Sequence, residues 1–132
     1  MKRQLTIIAD PIEEAALLAG RRLSGGAGAV IHFLGVVRGE EDGKVIRAIA
    51  YETFQRMADH QFNLLFDEME KRWPIESVRL VHRIGEVQVN EVSLWVEVIA
   101  PHREEAFAAS QWLVDEMKRV VPIWKRAVEK AE

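Results

Sequence analysis

The sequence contains no cysteine. Disulfides, thiolate metal ligands, persulfides and thiol nucleophiles all require that side chain, so each of these sites is excluded. The four histidines, at positions 32, 60, 82 and 102, show neither H-x-H nor H-x-x-x-H spacing. We therefore predict no metal site.

Long hydrophobic runs and an excess of positive charge are also missing. No apolar run approaches the roughly 18 residues that a membrane-spanning helix needs, and the first residues do not form the apolar core of a signal peptide. The net charge is −3, and no basic stripe with interleaved aromatic residues occurs. We expect a cytoplasmic protein that binds neither membranes nor nucleic acid.

The composition and the hydrophobic patterning predict an α+β fold. With 132 residues, of which 48% are hydrophobic, residues 1–132 are expected to form one domain. Helices and strands do not alternate strictly, which favours an antiparallel or mixed sheet with three helices over a doubly wound parallel sheet. Strands are predicted at 5–9, 29–34, 45–53, 77–84 and 92–99, helices at 11–23, 55–73 and 103–120, and a polar loop at 39–43.

Basic residues cluster around the last predicted helix. His102 and Arg103 stand at its start, where free backbone N–H groups and the helix dipole favour an anion. Arg103 adds a planar fork that suits phosphate or carboxylate. Alternatively, His102 only caps the helix and Arg103 pairs with a nearby glutamate on the surface.

Two lysines follow near the end of the same helix. Lys118 lies in the last turn, where it either serves a site or simply meets the negative end of the dipole. Lys125 follows Pro122, which forces the chain into an extended path and could direct the amine into a cleft. A desolvated lysine near other cations can act as a nucleophile or an acid–base group. If both lysines converge with His102 and Arg103, they form an anion-binding, proton-handling pocket.

Two further positions stand at predicted strand ends. Arg38 follows an apolar strand and precedes a glycine-containing loop, so it either contacts a ligand or faces solvent. Gly35 would permit a close backbone approach to such a ligand. For His82 we expect a structural role, as a hydrogen-bonded histidine beside a turn.

Taken together, these segments resemble the large, catalytic subunit of molybdopterin synthase. Each segment is weak alone, but their order and spacing are specific. The matching segments are Gly28–Arg38, Tyr51–Phe54, Met57-Ala58, Trp73-Pro74, Val81–Glu86, His102-Arg103, Ala106–Ala108, Lys118 and Pro122–Arg126.

The resemblance implies an α/β-hammerhead type of fold and a sulfurtransferase of molybdenum cofactor biosynthesis. Such enzymes convert cyclic pyranopterin monophosphate to molybdopterin. The sulfur arrives as the C-terminal thiocarboxylate of a small ubiquitin-like partner subunit, which agrees with the absence of cysteine and implies that no cofactor is needed. Large subunits of the family pair as a homodimer within a heterotetramer.

The resemblance also implies roles for individual residues. Lys118 is expected nearest the reacting atoms, as acid–base catalyst or oxyanion stabiliser, and Lys125 is expected to assist proton transfer or to orient the pterin. The alternative is a non-catalytic binding module or a degenerate paralogue. Ala127 slightly favours the degenerate paralogue, because family members often carry glutamate there. The predicted substrate-binding residues are Val37, Arg38, His102, Arg103, Lys118, Lys125 and Arg126, of which Lys118 and Lys125 are also predicted to be catalytic.

Overall fold

The computed structural model describes residues 1–130. Three helices and eight strands occur in that part of the chain. In chain order they are β1 (Lys2–Ile8), α1 (Glu14–Ala19), β2 (Ala29–Val36), β3 (Glu40–Glu41), β4 (Lys44–Thr53), α2 (Gln55–Arg72), β5 (Ser77–Arg83), β6 (Gly85–Gln88), β7 (Val92–Ala100), α3 (Arg103–Val120) and β8 (Ile123–Glu129).

The main sheet has the strand order β1-β5-β7-β2. Strands β1 and β5 are parallel, and the other two pairings are antiparallel. Helices α2 and α3 pack against this sheet because each buries apolar residues three, four, seven, eight and eleven positions apart, which places them on one helical face. In α2 and α3 the buried residues are Ala58, Phe62, Leu65, Phe66, Met69, Ala106, Ala109, Ser110, Leu113, Val114 and Met117.

A second, smaller sheet is built around β4. Strands β6 and β8 pair antiparallel with opposite edges of β4, and β3 pairs with its first residues. Asp42 and Gly43 join β3 to β4 with φ angles of 51° and 79°, as the two central residues of a tight hairpin turn require. A separate apolar cluster of Val37, Ile46, Ile49 and Val87 lies under this sheet.

Two local predictions are wrong. The first helix spans only Glu14–Ala19, not 11–23, and Asp10 does not cap it. None of its residues is buried, so little tertiary packing is available to extend it. The predicted loop at 39–43 contains the β3–β4 hairpin, because Asp42-Gly43 adopts a turn that strands can flank.

The larger predictions agree with the structure. The α+β class, the mixed sheet and the three helices are confirmed for residues 1–130, and α3 has the predicted bounds. Within these residues, no helix is both long enough and apolar enough to cross a bilayer. The cytoplasmic location stays a prediction.

Candidate active site

A cleft of about 460 Å³ lies where the last turn of α3, the end of β2 and the smaller sheet meet. Its size is within the range of about 300–1,000 Å³ that is typical of small-molecule sites. Apolar and charged side chains share its walls. The lining residues are Phe33, Gly35, Val36, Arg38, Glu41, Ile49, Tyr51, His82, Ser93, Leu94, Met117, Lys118, Val121, Ile123 and Lys125.

The end of α3 places Lys118 in this cleft. Met117 is buried in the main core, which fixes the rotation of the helix, and the neighbouring Lys118 stays exposed. The helix ends at Val120 because Val121 is already extended, with φ −81° and ψ 129°, and Pro122 follows. Lys118 therefore lies at the rim of the core, beside the open space of the cleft.

Strand β8 brings Lys125 to the same cleft. It pairs with β4, so that Lys125 lies opposite Tyr51. The hydroxyl of Thr53 donates a hydrogen bond of 3.0 Å to the carbonyl oxygen of Pro122, which anchors the start of the strand. The extended path predicted after Pro122 is thus a paired strand. It brings Lys125 to the cleft that also holds Lys118, seven positions earlier in the sequence.

Glu41 lies between two cations of the cleft, Lys125 and Arg38. Its Oε1 accepts a hydrogen bond of 3.2 Å from Lys125 Nζ, and its Oε2 lies 3.8 Å from Nη2 of Arg38. The Glu41 side chain is 18% exposed, whereas that of Arg38 is 80% exposed. Sequence reasoning missed Glu41, although the Asp42-Gly43 turn signal would have placed it beside the start of β4.

The charges of the cleft are opposite in sign to that of the whole protein. Among the described residues, Arg38, Lys118 and Lys125 contribute three cations to the cleft against one carboxylate, that of Glu41, whereas the chain has a net charge of −3. Arginine and lysine are donors without acceptor sites, and arginine binds phosphate or carboxylate through two parallel hydrogen bonds. The cleft is therefore suited to an anionic ligand that also carries an apolar or aromatic portion.

His82 forms part of the cleft wall. Its side chain packs edge-on against Tyr51, with ring centroids 5.3 Å apart. Its Nδ1 lies 2.8 Å from the carbonyl oxygen of Arg83. Burial lowers the pKa of His82 and outweighs this hydrogen bond, which acts in the opposite direction. The expectation of a hydrogen-bonded histidine is met, but the cleft position was not foreseen.

Two predicted binding residues lie outside the cleft. Val37 is 2% exposed, within the apolar cluster under the smaller sheet, and its N–H and C=O are bonded to Glu91 and Asn90. Successive residues of a strand face opposite sides, so Arg126 points away from the side that Lys125 occupies. Its charge instead contributes to lowering the pKa of Glu86, after the hydrogen bonds that Arg47 and Gln88 donate to that carboxylate.

His102 and Arg103 also lie away from the cleft of their own chain. They stand at the opposite end of α3 from Lys118, and fifteen residues at about 1.5 Å each separate Arg103 from Lys118 by about 22 Å. The Glu105 carboxylate accepts a hydrogen bond of 2.9 Å from the backbone N–H of His102 and lies 3.2 Å from its Nδ1. The four predicted groups therefore do not meet within one chain, and the roles of His102 and Arg103 stay predictions.

A second polar cluster lies within the main sheet, outside the cleft. Glu97 is 1% exposed and accepts hydrogen bonds of 2.7 and 2.9 Å from Arg79. His32 Nε2 lies 2.9 Å from the same carboxylate. Burial by itself would raise the pKa of Glu97, but the hydrogen bonds and charges of Arg79 and His32 outweigh it, so the pKa lies below its usual value. Arg79 also donates to the carbonyl oxygen of Leu17 in α1, so the cluster ties α1 to the sheet.

No metal-binding group is present in the described part of the chain. Residues 1–130 contain no cluster of three or more His, Asp or Glu side chains placed to hold a metal ion. The lining residues that the structure describes offer one carboxylate and one imidazole among three cations, a set that disfavours a divalent cation. The predictions of no metal and no cofactor stay predictions.

Comparison with known proteins identifies the family. The MoaE protein family matches residues 7–120. The chain belongs to this family. The molybdopterin synthase catalytic subunit of Pyrococcus abyssi is 39% identical over 131 residues, which cover 96% of this chain and 86% of that protein. These matches confirm the predicted resemblance to the catalytic subunit of molybdopterin synthase. They also confirm the predicted enzyme class.

Solved structures of the family share the fold. Molybdopterin synthase from Staphylococcus aureus matches with a TM-score of 0.88 and 30% identity, over 100% of this chain and 95% of that chain. A complex of subunits 1 and 2 of the molybdopterin-converting factor from Helicobacter pylori matches with a TM-score of 0.75 and 20% identity, over 97% and 90%. At that identity, the second likeness concerns the fold alone.

Proposed function

We propose that this MoaE family chain is the sulfur-transferring subunit of a molybdopterin synthase. It converts cyclic pyranopterin monophosphate to molybdopterin, with sulfur from the C-terminal thiocarboxylate of a small ubiquitin-like subunit. The observation that carries the proposal is the convergence of Arg38, Lys118 and Lys125 on one cleft in a member of this family. Because the partner delivers the sulfur, we propose that the protein uses neither a metal nor a resident cofactor.

The cleft has the groups that such a substrate needs. The substrate carries an anionic phosphate on a fused pterin ring system. Arg38 can bind the phosphate through its guanidinium, and apolar residues such as Phe33 and Leu94 can contact the ring. The mixed apolar and cationic lining thus supports binding of both parts of one molecule.

The two lysines can serve the chemical step. After the thiocarboxylate has passed its sulfur to the substrate, the carrier must be released. During that release negative charge develops on the acyl oxygen, and a nearby ammonium group stabilises such charge. We assign this role, or proton donation, to Lys118. Lys125, held at 3.2 Å by Glu41, orients the substrate or assists proton transfer.

The small partner subunit is supported by the Helicobacter pylori structure, whose two chains are subunits of a molybdopterin-converting factor. We propose that the carrier's C-terminal tail enters the cleft of this chain. Phe33 and Val36, which are 37% and 48% exposed, lie on the cleft wall and offer apolar surface to an extended tail.

The proposed homodimer offers a role for His102 and Arg103. These residues cannot reach the cleft of their own chain, because α3 separates them from Lys118 by about 22 Å. If they bind substrate, a second copy of the chain must bring them. This requirement supports the proposed homodimer, which we propose is flanked by two small subunits.

Reconstitution tests the proposed function. The purified protein is mixed with thiocarboxylated small subunit and cyclic pyranopterin monophosphate, and molybdopterin is measured as its fluorescent oxidation product. We expect product only when all three components are present. A folded protein that binds the small subunit and yields no product would instead support a binding module or a degenerate paralogue.

A further inference from the structure

His82 is the only imidazole among the described residues that line the cleft, and the resemblance assigns it no role. It is the penultimate residue of β5 and is almost completely buried, yet it lines the cleft together with Lys118 and Lys125. A histidine held at the wall of a charged cleft can accept or donate a proton in a reaction there.

The hydrogen bond of Nδ1 determines which nitrogen can act. The Arg83 carbonyl oxygen can only accept, so Nδ1 must carry the proton in the 2.8 Å contact. In the neutral ring, Nε2 then carries the lone pair. Within residues 1–130, Nε2 has no hydrogen-bond partner, and Arg83 Nε is the only fully buried polar side-chain atom without one. Nε2 is therefore not fully enclosed, and the cleft is the open space that His82 lines.

The other polar groups of the cleft are less suited to accept a proton. Arg38, Lys118 and Lys125 are donors, and the Glu41 carboxylate already bonds Lys125 and faces Arg38. The Ser93 hydroxyl donates to the Gly35 carbonyl oxygen. Tyr51 is the remaining titratable group on the wall, and it packs against the His82 ring. Burial lowers the pKa of His82, which keeps the ring neutral and able to accept a proton near neutral pH.

We propose that His82 is the general base for the water molecule that releases the sulfur carrier. This inference rests on the proposed function. When the thiocarboxylate sulfur attacks a substrate carbon, a C–O bond at that carbon breaks, its electron pair leaves on the oxygen, and carrier and substrate become joined through a thioester. Water must then add to the carrier's acyl carbon, while its proton passes to Nε2 of His82.

The step balances without any further reactant. The new C–O bond forms, the acyl C–S bond breaks, and its electron pair leaves on the sulfur, which stays on the substrate as a thiolate. The carrier departs as a carboxylate after losing its second proton to solvent, and His82 returns its proton to solvent. Lys118 faces the same space and can stabilise the acyl oxygen as it becomes negative.

Single-turnover kinetics test this assignment with the full chain, thiocarboxylated small subunit and cyclic pyranopterin monophosphate. Intact-mass spectrometry follows the carrier–substrate conjugate and the released carrier. His82→Asn removes the base but keeps an N–H that can bond the Arg83 carbonyl oxygen. His82→Ala is assayed with and without added imidazole, and His60→Asn, on the exposed face of α2, is the matched control.

We expect the conjugate to form normally in His82→Asn and to break down about 10²–10⁴-fold more slowly, as for loss of a general base. Imidazole should restore breakdown in His82→Ala, and His60→Asn should behave as wild type. In the wild type, breakdown should slow as the pH falls through the His82 pKa, which lies below the usual histidine value.

Three results would overturn the proposal: breakdown at the wild-type rate in His82→Asn, equal slowing of formation and breakdown in a folded variant, or wild-type breakdown that does not change across the acidic range. A wild-type pH profile that stays flat would overturn the proposal even if both variants fail to fold. Absence of any conjugate or product with wild-type protein would instead refute the proposed function itself.

Discussion

Replacing Glu97 by glutamine should destabilise the protein strongly. The Glu97 carboxylate is 1% exposed and is the shared acceptor of two hydrogen bonds from Arg79 and of the His32 contact. The neutral amide cannot balance the Arg79 charge, and its NH₂ group would face a donor. Removing one partner of a buried pair costs about 3–5 kcal/mol.

We expect a cost of about 3 kcal/mol, at the lower end of that range, because Arg79 is 14% exposed and keeps its bond to the Leu17 carbonyl oxygen. For a domain of this size, that corresponds to a fall in melting temperature of about 10–15 °C. Thermal unfolding followed by circular dichroism measures it. Glu86→Gln is the matched control, since it breaks an exposed pair with Arg47 and should change the melting temperature little.

The pH dependence of stability should also report on the Glu97 carboxylate. The folded-state pKa of Glu97 is lowered, so the stability that it contributes is complete above the unfolded-state pKa and is lost as the pH falls towards the folded-state pKa. Between those two values, wild type should lose more stability than Glu97→Gln. Equal melting temperatures for Glu97→Gln and Glu86→Gln, or parallel acid profiles for wild type and Glu97→Gln, would refute this account of the buried cluster.

Two further predictions concern packing and the cleft. Gly28→Ala should unfold at a markedly lower temperature than wild type, because its Cβ would lie 2.1 Å from the Pro101 carbonyl oxygen, whereas Gly25→Ala meets nothing within 4 Å and should melt as wild type does. Lys125→Ala should lower the molybdopterin synthesis rate about 10²-fold or more if its ammonium takes part in proton transfer. Arg126→Ala, on the opposite face of β8, should keep most of the activity. An equal loss of activity in both variants would contradict the placement of Lys125 and Arg126 on opposite faces of the strand.

Local signals predicted the helices that pack on the sheet. The bounds of α3 follow from Pro101 before it and Pro122 after it, and α2 ends one residue before its predicted end at Trp73, which Pro74 follows. The prediction of a helix at 11–23 was wrong because it relied on capping signals alone. The segment lacks the tertiary packing that stabilises a helix. Short helices depend on burial, and α1 buries no residue.

The assembly of the cleft could not be predicted from local signals. Lys125 reaches it through the pairing of β8 with β4, which joins residues seventy or more positions apart. No periodicity in either segment specifies that register. Once β8 is known to be a strand, alternation separates Lys125 from Arg126. The burial of Val37 likewise depends on the second apolar cluster, which forms only when β4 and β6 meet.

The most direct test of the proposed function compares Lys118→Ala with Arg119→Ala. Arg119 is the next residue of α3, lies outside the cleft lining, and pairs with Glu116 at 2.8 Å. Single-turnover molybdopterin synthesis is measured with thiocarboxylated small subunit and cyclic pyranopterin monophosphate. We predict a rate about 10²–10⁴-fold lower for Lys118→Ala and a rate close to wild type for Arg119→Ala. A folded Lys118→Ala variant with near wild-type turnover would contradict the assignment of this cleft as the active site.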